Sequence, residues 1–456
     1  MSQKGAVLRP SMDAKIQENG SNSSCSPHDT NSSTQRQQQR QEVTSPFYFL
    51  TAEAAQAIPN YQYKGEDRSL LYRYALSPLA QFLVDHTPNN IAPNTITFAG
   101  LCSMVFGYLI FWYYVPNLQI QNVEEIPRWI FLYNAIAMLI YQTLDNMDGK
   151  QARKTKSSSP LGLLFDHGCD AINSIFGSAN WIVAMGLNPM EDAWLCYIVV
   201  VGPYALFYIA TWEEYYTGEL ILPLFNGPNE GLFGGAMLSI TSYMYGSDWW
   251  LSQSIWSNFL LPMLSSMKLI PADYLDSLRW RNADLMVMLA CLGFVQEVVS
   301  KSTSVIGTYG FQAFCDVLPF CAVSLATFVI GYCDETIFQK NPRTSLHLIA
   351  CLLVEMVTEL MKAHISAQKF EPLQRWINLP LFFLATVVLG ADLLGQETPA
   401  WTNDYLIIYA TAACTYFGMK LVIVIDEICR VLTIWCFDIV TPRPASMSFT
   451  RHKKLQ

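Results

Sequence analysis

Stretches of about 20 mostly apolar residues recur along this chain, each long enough to cross a ~30 Å hydrocarbon core as a helix. They lie near 96–115, 128–147, 161–185, 193–212, 231–246, 284–306, 311–333, 344–362, 378–395 and 403–425. The fifth is short, and the sixth and seventh nearly touch, so the count is about ten. Of the 456 residues only 14% are charged, against about a quarter in an average soluble domain. The expected fold class is therefore an all-α polytopic membrane protein.

The net charge of −9 and a pI near 5.2 argue against nucleic acid as a partner. The twelve cysteines sit mostly within the apolar stretches and form no C-x-x-C pair, so neither a zinc site nor a disulfide framework is indicated. Residues 1–45 are rich in Ser, Asn and Gln, lack a signal-peptide pattern and contain sequons at Asn19, Asn22 and Asn31. They read as a disordered cytosolic tail. From Asp67 to Val84 apolar residues recur at helical spacing, flanked by Arg68, Arg73 and Asp85. Residues 46–90 thus read as an interfacial amphipathic segment, lying on the membrane or on the protein's own cytosolic face.

Lys and Arg set the orientation. Lys150, Arg153, Lys154 and Lys156 lie between the second and third windows, and Lys362, Lys369 and Arg375 between the eighth and ninth. Arg443, Arg451, Lys453 and Lys454 follow the tenth. The loops at 116–127 and 187–192 carry only acids. Ten spans with the basic loops inside place both termini in the cytosol. Lys268, Arg279 and Arg281 would then be lumenal and count against this arrangement.

Between Asp145 and Asp170 the chain reads DNMDGKQARKTKSSSPLGLLFDHGCD, with aspartates at 145, 148, 166 and 170. Carboxylates in a bilayer are costly and mark function. Spacings of three and four put each pair on one helix face. Two such helices packed together would converge four hard oxygens on one point, which suits Mg²⁺ or Mn²⁺ and, behind the metal, a phosphate. Arg153 adds a fork of donors for phosphate oxygens. Gly149 and Ala152 leave room for a nucleotide against the backbone, and Gly162, one turn before Asp166, lets the two helices approach.

Written D-x-x-D-G-x-x-A-R-x8-G-x3-D-x3-D, this run resembles the signature of the CDP-alcohol phosphotransferase family at every specified position. APNTIT at 92–97, FDHGCD at 165–170, WEEYYTGELILPLFNGPNEG at 212–231 and the C-terminal ICRVLTIWCFDI are similar to its eukaryotic cholinephosphotransferase and ethanolaminephosphotransferase branch. The likeness runs from about Tyr63 to Ile439, with Ala80 standing where an aromatic residue is expected. The resemblance implies transfer of phosphocholine or phosphoethanolamine from CDP-choline or CDP-ethanolamine to diacylglycerol, with release of CMP. It implies that Asp145, Asp148, Asp166 and Asp170 ligate Mg²⁺ (two ions, with Mn²⁺ as a substitute) and that Asn94, Gly149 and Arg153 contact the CDP moiety. It further implies a catalytic core at 91–235, additional transmembrane helices at 236–440 for lipid access and dimerisation, and a cytosolic tail at 441–456. The endoplasmic reticulum, or else the Golgi, is the implied membrane.

The acceptor hydroxyl needs a base. His167 neighbours Asp170 on the helix and is offset about 100° from Asp166, so it can sit beside the metals without ligating them. An imidazole near its ordinary pKa of about 6.5 suits proton abstraction. Asp170 is the alternative base. The segment 213–230 holds Glu213, Glu214, Glu219 and Glu230 without Lys or Arg, beside Tyr215. Glu213, Glu214, Tyr215 and Glu230 are candidate contacts for a cationic headgroup. Glu297, Asp316, Glu355, Glu359 and Asp392 fall in apolar stretches and could pair with one another or face a cavity; His347 and His364 read as interfacial. An ion-coupled transporter would also carry midplane acids, although no internal repeat is seen. A relative acting on another alcohol, such as inositol, is a third reading.

Overall fold

The computed structural model describes residues 47–120, 126–267, 271–372 and 375–444. The polar tail 1–45 with its sequons, the loop acids Glu124 and Glu125, and the bases Lys268, Arg451, Lys453 and Lys454 lie outside the described residues. A helix occupies every apolar window: α1 Pro93–Tyr114, α2 Trp129–Thr155, α3 Pro160–Ala184, α4 Ala193–Thr217, α5 Leu232–Tyr245, α6 Asn282–Tyr309, α7 Leu318–Cys333, α8 Pro342–Ile365, α9 Leu379–Leu393 and α10 Trp401–Leu432. Six segments are long and apolar enough to cross a membrane: α1, α4, α6, α10, Phe311–Cys333 around α7, and Trp376–Leu393 around α9. The other four differ for reasons written in their sequences. α2 and α3 carry the aspartates, α5 has only 14 residues, and α8 is buried on nearly every side.

The α2–α3 connection is what positions the site. α2 stops at Lys156, which adopts a left-handed conformation with φ 57°. Ser159 then caps α3, its hydroxyl accepting from the Gly162 N–H at 3.2 Å, and Pro160 occupies the first turn, where its missing N–H costs nothing. So short a turn folds α3 back beside α2. Asp148 lies seven residues before the end of α2 and Asp166 six after the start of α3. At 1.5 Å per residue both sit ~10 Å from the turn, at one depth.

Two departures from the sequence reading concern the segment before α1. The fold is not purely helical: β1, Gly65–Asp67, pairs in parallel with β2, Leu220–Leu222. Chain outside helices must still satisfy its backbone groups, and these two connectors satisfy each other. After a short helix at Ala52–Ala57, the helix of the amphipathic stretch accordingly begins at 70 rather than 67. Along the helix that follows, Leu76, Ala80 and Val84 are buried, whereas Tyr74, Leu79 and Phe82 are exposed. Ala80 is fully enclosed with Val84, Ile96 and Met147, so the position expected to be aromatic faces protein and has room only for a methyl group.

Elsewhere the charges in apolar stretches find bases or hydroxyls, not one another. Glu355 and Glu359 on α8 accept from Lys420 of α10 at 2.6 and 2.9 Å, and Arg375 reaches Glu359 at 2.8 Å. Glu297 lies 4.0 Å from Lys301. The break between Cys315 and Leu318 is covered by α4, whose Trp212 and Tyr208 donate to the carbonyls of Ala313 and Asp316 while Tyr216 donates to the Asp316 carboxylate. Buried polar groups so paired cost little; unpaired, each would cost several kcal/mol in hydrocarbon. Asp392 is exposed.

Candidate active site

Asp145, Asp148 and Asp166 each place a carboxylate oxygen within 4.8 Å of the other two. Asp148 is 7% exposed and accepts from the Thr97 hydroxyl of α1. Asp170 is held by the Tyr141 hydroxyl at 2.6 Å. One oxygen each of Asp145 and Asp166 is buried with no hydrogen-bond partner among the described residues. Clustered carboxylates whose inner oxygens face no protein donor repel one another and lack solvation, and a hard divalent cation remedies both defects. The donor set therefore fits such an ion.

All four aspartates line a cavity of about 1380 Å³. Its polar part also contains the other expected residues Asn94, Gly149, Ala152, Arg153, Gly162 and His167. Arg153 is exposed and forms no ion pair among the described residues, so its guanidinium is available to an anion. Asn94 uses its amide N–H₂ on the Cys436 carbonyl at 3.0 Å, which leaves its oxygen toward Gly162. A methyl group at Gly162 would meet Ser159 and Asn94 in ordinary contact, so this glycine faces α1 and the cavity rather than clearing α2. His167 stands edge-on to Phe207 with ring centres 6.1 Å apart.

The acidic segment divides. Glu214 and Glu230 line the cavity, but Glu213 and Tyr215 do not. Glu213 is bonded to Lys301, and the Tyr215 hydroxyl donates to the Gln368 carbonyl at 3.2 Å while accepting from the Phe370 N–H. Residues 213–217 are the last turn of α4, where neighbouring side chains point about 100° apart, so Glu213 and Glu214 face different ways. His364 is not interfacial either: it is 7% exposed, with its Nε2 3.5 Å from Glu214 and 3.1 Å from the Tyr61 hydroxyl.

Sequence reasoning missed several parts of the wall. Tyr63, Asp67 and Tyr72 come from the segment before α1, Leu289 and Phe294 from α6, and Thr433 to Arg443 from the chain after α10. Burial pushes the Asp67 carboxyl above its usual range, while the Ser69 N–H and the Asn229 amide oppose that. Thr97 and Tyr141 had a signal, since they lie one or two helical turns from motif residues. The α6 contribution had none, because its apolar side chains read as ordinary membrane helix, whereas much of the C-terminal one falls in the family-like stretch ICRVLTIWCFDI. Close approach admits α6: a methyl at Gly202 of α4 would fall 2.4 Å from the Phe294 ring.

A membrane helix bundle with an acidic cluster opening into a large, partly apolar cavity defines a membrane-embedded, metal-compatible transferase-like site. The family model for CDP-alcohol phosphatidyltransferase matches residues 90–224. An uncharacterized class-I family protein of Schizosaccharomyces pombe is 30% identical over 336 residues, covering 73% of this chain and 82% of that one. A further class-I family protein, from Dictyostelium discoideum, is 29% identical over 86% of this chain and 98% of its own length. Choline/ethanolaminephosphotransferase 1 of Saccharomyces cerevisiae is 34% identical over 57% of this chain and 61% of its own length. The chain belongs to the CDP-alcohol phosphatidyltransferase class-I family and is an integral membrane protein.

The Thr97 hydroxyl orients a carboxylate without facing the cavity itself. Thr97→Val should therefore leave the fold intact and weaken divalent-cation binding at the cluster by about tenfold or more, as loss of a ligand's hydrogen-bond partner does. Metal titration of the purified variant measures this.

Proposed function

We propose that this protein transfers phosphocholine or phosphoethanolamine from its CDP derivative to the hydroxyl of diacylglycerol, releasing CMP. One observation carries the reading: three clustered carboxylates, two of them with a buried oxygen that no described residue satisfies, open into a cavity with both a polar and an apolar wall. A soluble dianionic donor needs the first wall and a lipid acceptor the second. The apolar wall includes Trp181, Met185, Leu238 and Phe294, and reaches Leu289, which is 64% exposed on the outer surface of α6. A bilayer lipid could enter by that route. Likeness to the yeast choline/ethanolaminephosphotransferase supports the choice of alcohol.

In this reading Asp145, Asp148, Asp166 and Asp170 hold Mg²⁺, with Mn²⁺ as a substitute. Bound there, such an ion would supply positive charge against the pyrophosphate and the leaving CMP. Arg153 binds phosphate oxygens, and Asn94 and Gly149 border the nucleotide. His167 takes the proton from the acceptor hydroxyl as its oxygen bonds the β-phosphorus and the bond to CMP breaks. Asp170, already bonded to Tyr141, is the alternative base. The ten helices span the membrane, with the site and both termini cytosolic, in the endoplasmic reticulum as in the lipid-synthetic branch that the motifs resemble. The exposed apolar face of the helix at 70–86 lies on the cytosolic leaflet. Residues 91–235 form the catalytic core, although the cavity also uses later segments, and 236–440 supply lipid access and a homodimer contact.

Purified protein in lipid with Mg²⁺, diacylglycerol and CDP-choline or CDP-ethanolamine should release CMP in step with new phospholipid. Ion-driven flux without CMP would replace this reading with a transporter. Asp148→Ala should abolish turnover and Mg²⁺ dependence together; undiminished activity would remove the metal assignment. His167→Ala should lower kcat by about 10²-fold while CDP-choline still binds, as loss of a general base does. A rate near wild type would pass the role to Asp170.

A further inference from the structure

Six carboxylates line the cavity outside the aspartate quartet; four of them accept hydrogen bonds and a fifth lies 4.0 Å from a lysine. Glu66 pairs with Arg68, and Glu297 lies near Lys301. Asp67 accepts from the Ser69 N–H and the Asn229 amide; Glu230 accepts from the Ser69 hydroxyl and the Asn226 N–H. Asp438 accepts two backbone N–H groups. Glu214 is different. It is 2% exposed, faces the cavity, and its Oε1 has no hydrogen-bond partner among the described residues. The nearest cationic candidate is His364 Nε2, at 3.5 Å and shared with the Tyr61 hydroxyl.

The surroundings suit a cation that donates no hydrogen bond. Tyr61 stacks edge-on against His364, with ring centres 5.2 Å apart. Burial and the Glu214 carboxylate push the Tyr61 phenol up, so it stays protonated. Two residues on, Tyr63 lines the cavity, and the fields of both Glu214 and Asp166 act on its phenol. Tyr63 is therefore close enough to feel both Glu214 and the acidic cluster. A carboxylate with an aromatic ring beside it is how an alkylammonium group is held. The placement also agrees with a donor whose cationic end is linked to its phosphate through a two-carbon ester chain. The chain carrying Tyr61 and Tyr63 is anchored upstream, where Glu427 of α10 accepts the N–H groups of Tyr48, Phe49 and Leu50.

We infer that Glu214 is the counter-charge for the cationic alcohol of the nucleotide donor, and that Tyr61 and His364 are positioning residues that fix its carboxylate at the cavity wall. This rests on the function proposed above. Three ligands separate the parts: CDP-choline, the CDP ester of 3,3-dimethylbutanol as its neutral isostere, and CMP, which has no headgroup. Glu214→Gln should raise KM for CDP-choline by about tenfold, abolish the preference over the neutral isostere, and leave CMP inhibition within about twofold. His364→Ala and Tyr61→Phe should each raise KM for CDP-choline about threefold at near wild-type kcat, while His364→Gln, which keeps a donor near Nε2, restores it. An unchanged KM, equal weakening of CMP, or no preference for the cation in the wild type would overturn the inference. Should Glu214→Gln not bind CMP, Tyr61→Phe decides by the same criteria. Wild-type protein releasing no CMP from either cationic donor would instead overturn the proposed function.

Discussion

Four carboxylates inside a helical membrane bundle are a liability that the surrounding structure has to manage. Two of them are managed with protein groups: Thr97 reaches Asp148 from α1, and Tyr141 reaches Asp170 from α2 itself. Asp145 and Asp166 keep inward oxygens that no described residue satisfies. The asymmetry is what distinguishes a ligand-holding site from an ordinary buried polar network. Elsewhere in the same bundle, Glu355 and Glu359 show the ordinary solution, with Lys420 and Arg375 close against them. A bundle able to neutralise its acids in one place and leaving them bare in another has a use for the bare ones.

Around that cluster the cavity is assembled from pieces far apart in the chain. α2 and α3 supply the acids, α4 and α6 the apolar flank, and the segments before α1 and after α10 the mouth. Small contacts hold these pieces in register. β1 and β2 tie the N-terminal segment to the chain beyond α4, and Asp67 and Ser69 reach Asn229 and Glu230 across the same junction. Asn94 ties the start of α1 to Cys436. The segments before α1 and after α10 therefore both border the site, and a change in either would be felt at the mouth of the cavity before it was felt in the bundle.

Much of the catalytic centre could be read in one dimension, because a helix converts spacing into direction. Aspartates three and four apart share a face once their segment is helical, and two such helices packed together converge them. The apolar windows told where helices would lie for the same reason: backbone in lipid has no alternative. The acidic segment was harder. Charge alone grouped Glu213 with Glu214, but adjacent residues on a helix point about 100° apart, and only one of the two faces the cavity.

What the amino-acid order determined by itself was therefore local: helical windows, the depth and facing of the four aspartates, and the family signature they form. The tertiary structure alone decided which distant residues meet them. Nothing in the neighbourhood of Tyr63 or Phe294 marks them as parts of the cavity wall, since each looks like a routine packing or interface residue in its own segment. They become parts of it because helix packing brings faces together at separations of up to some 340 residues. Such encounters depend on the shape and small size of intervening side chains, Gly202 and Ala80 among them, rather than on any periodicity along the chain.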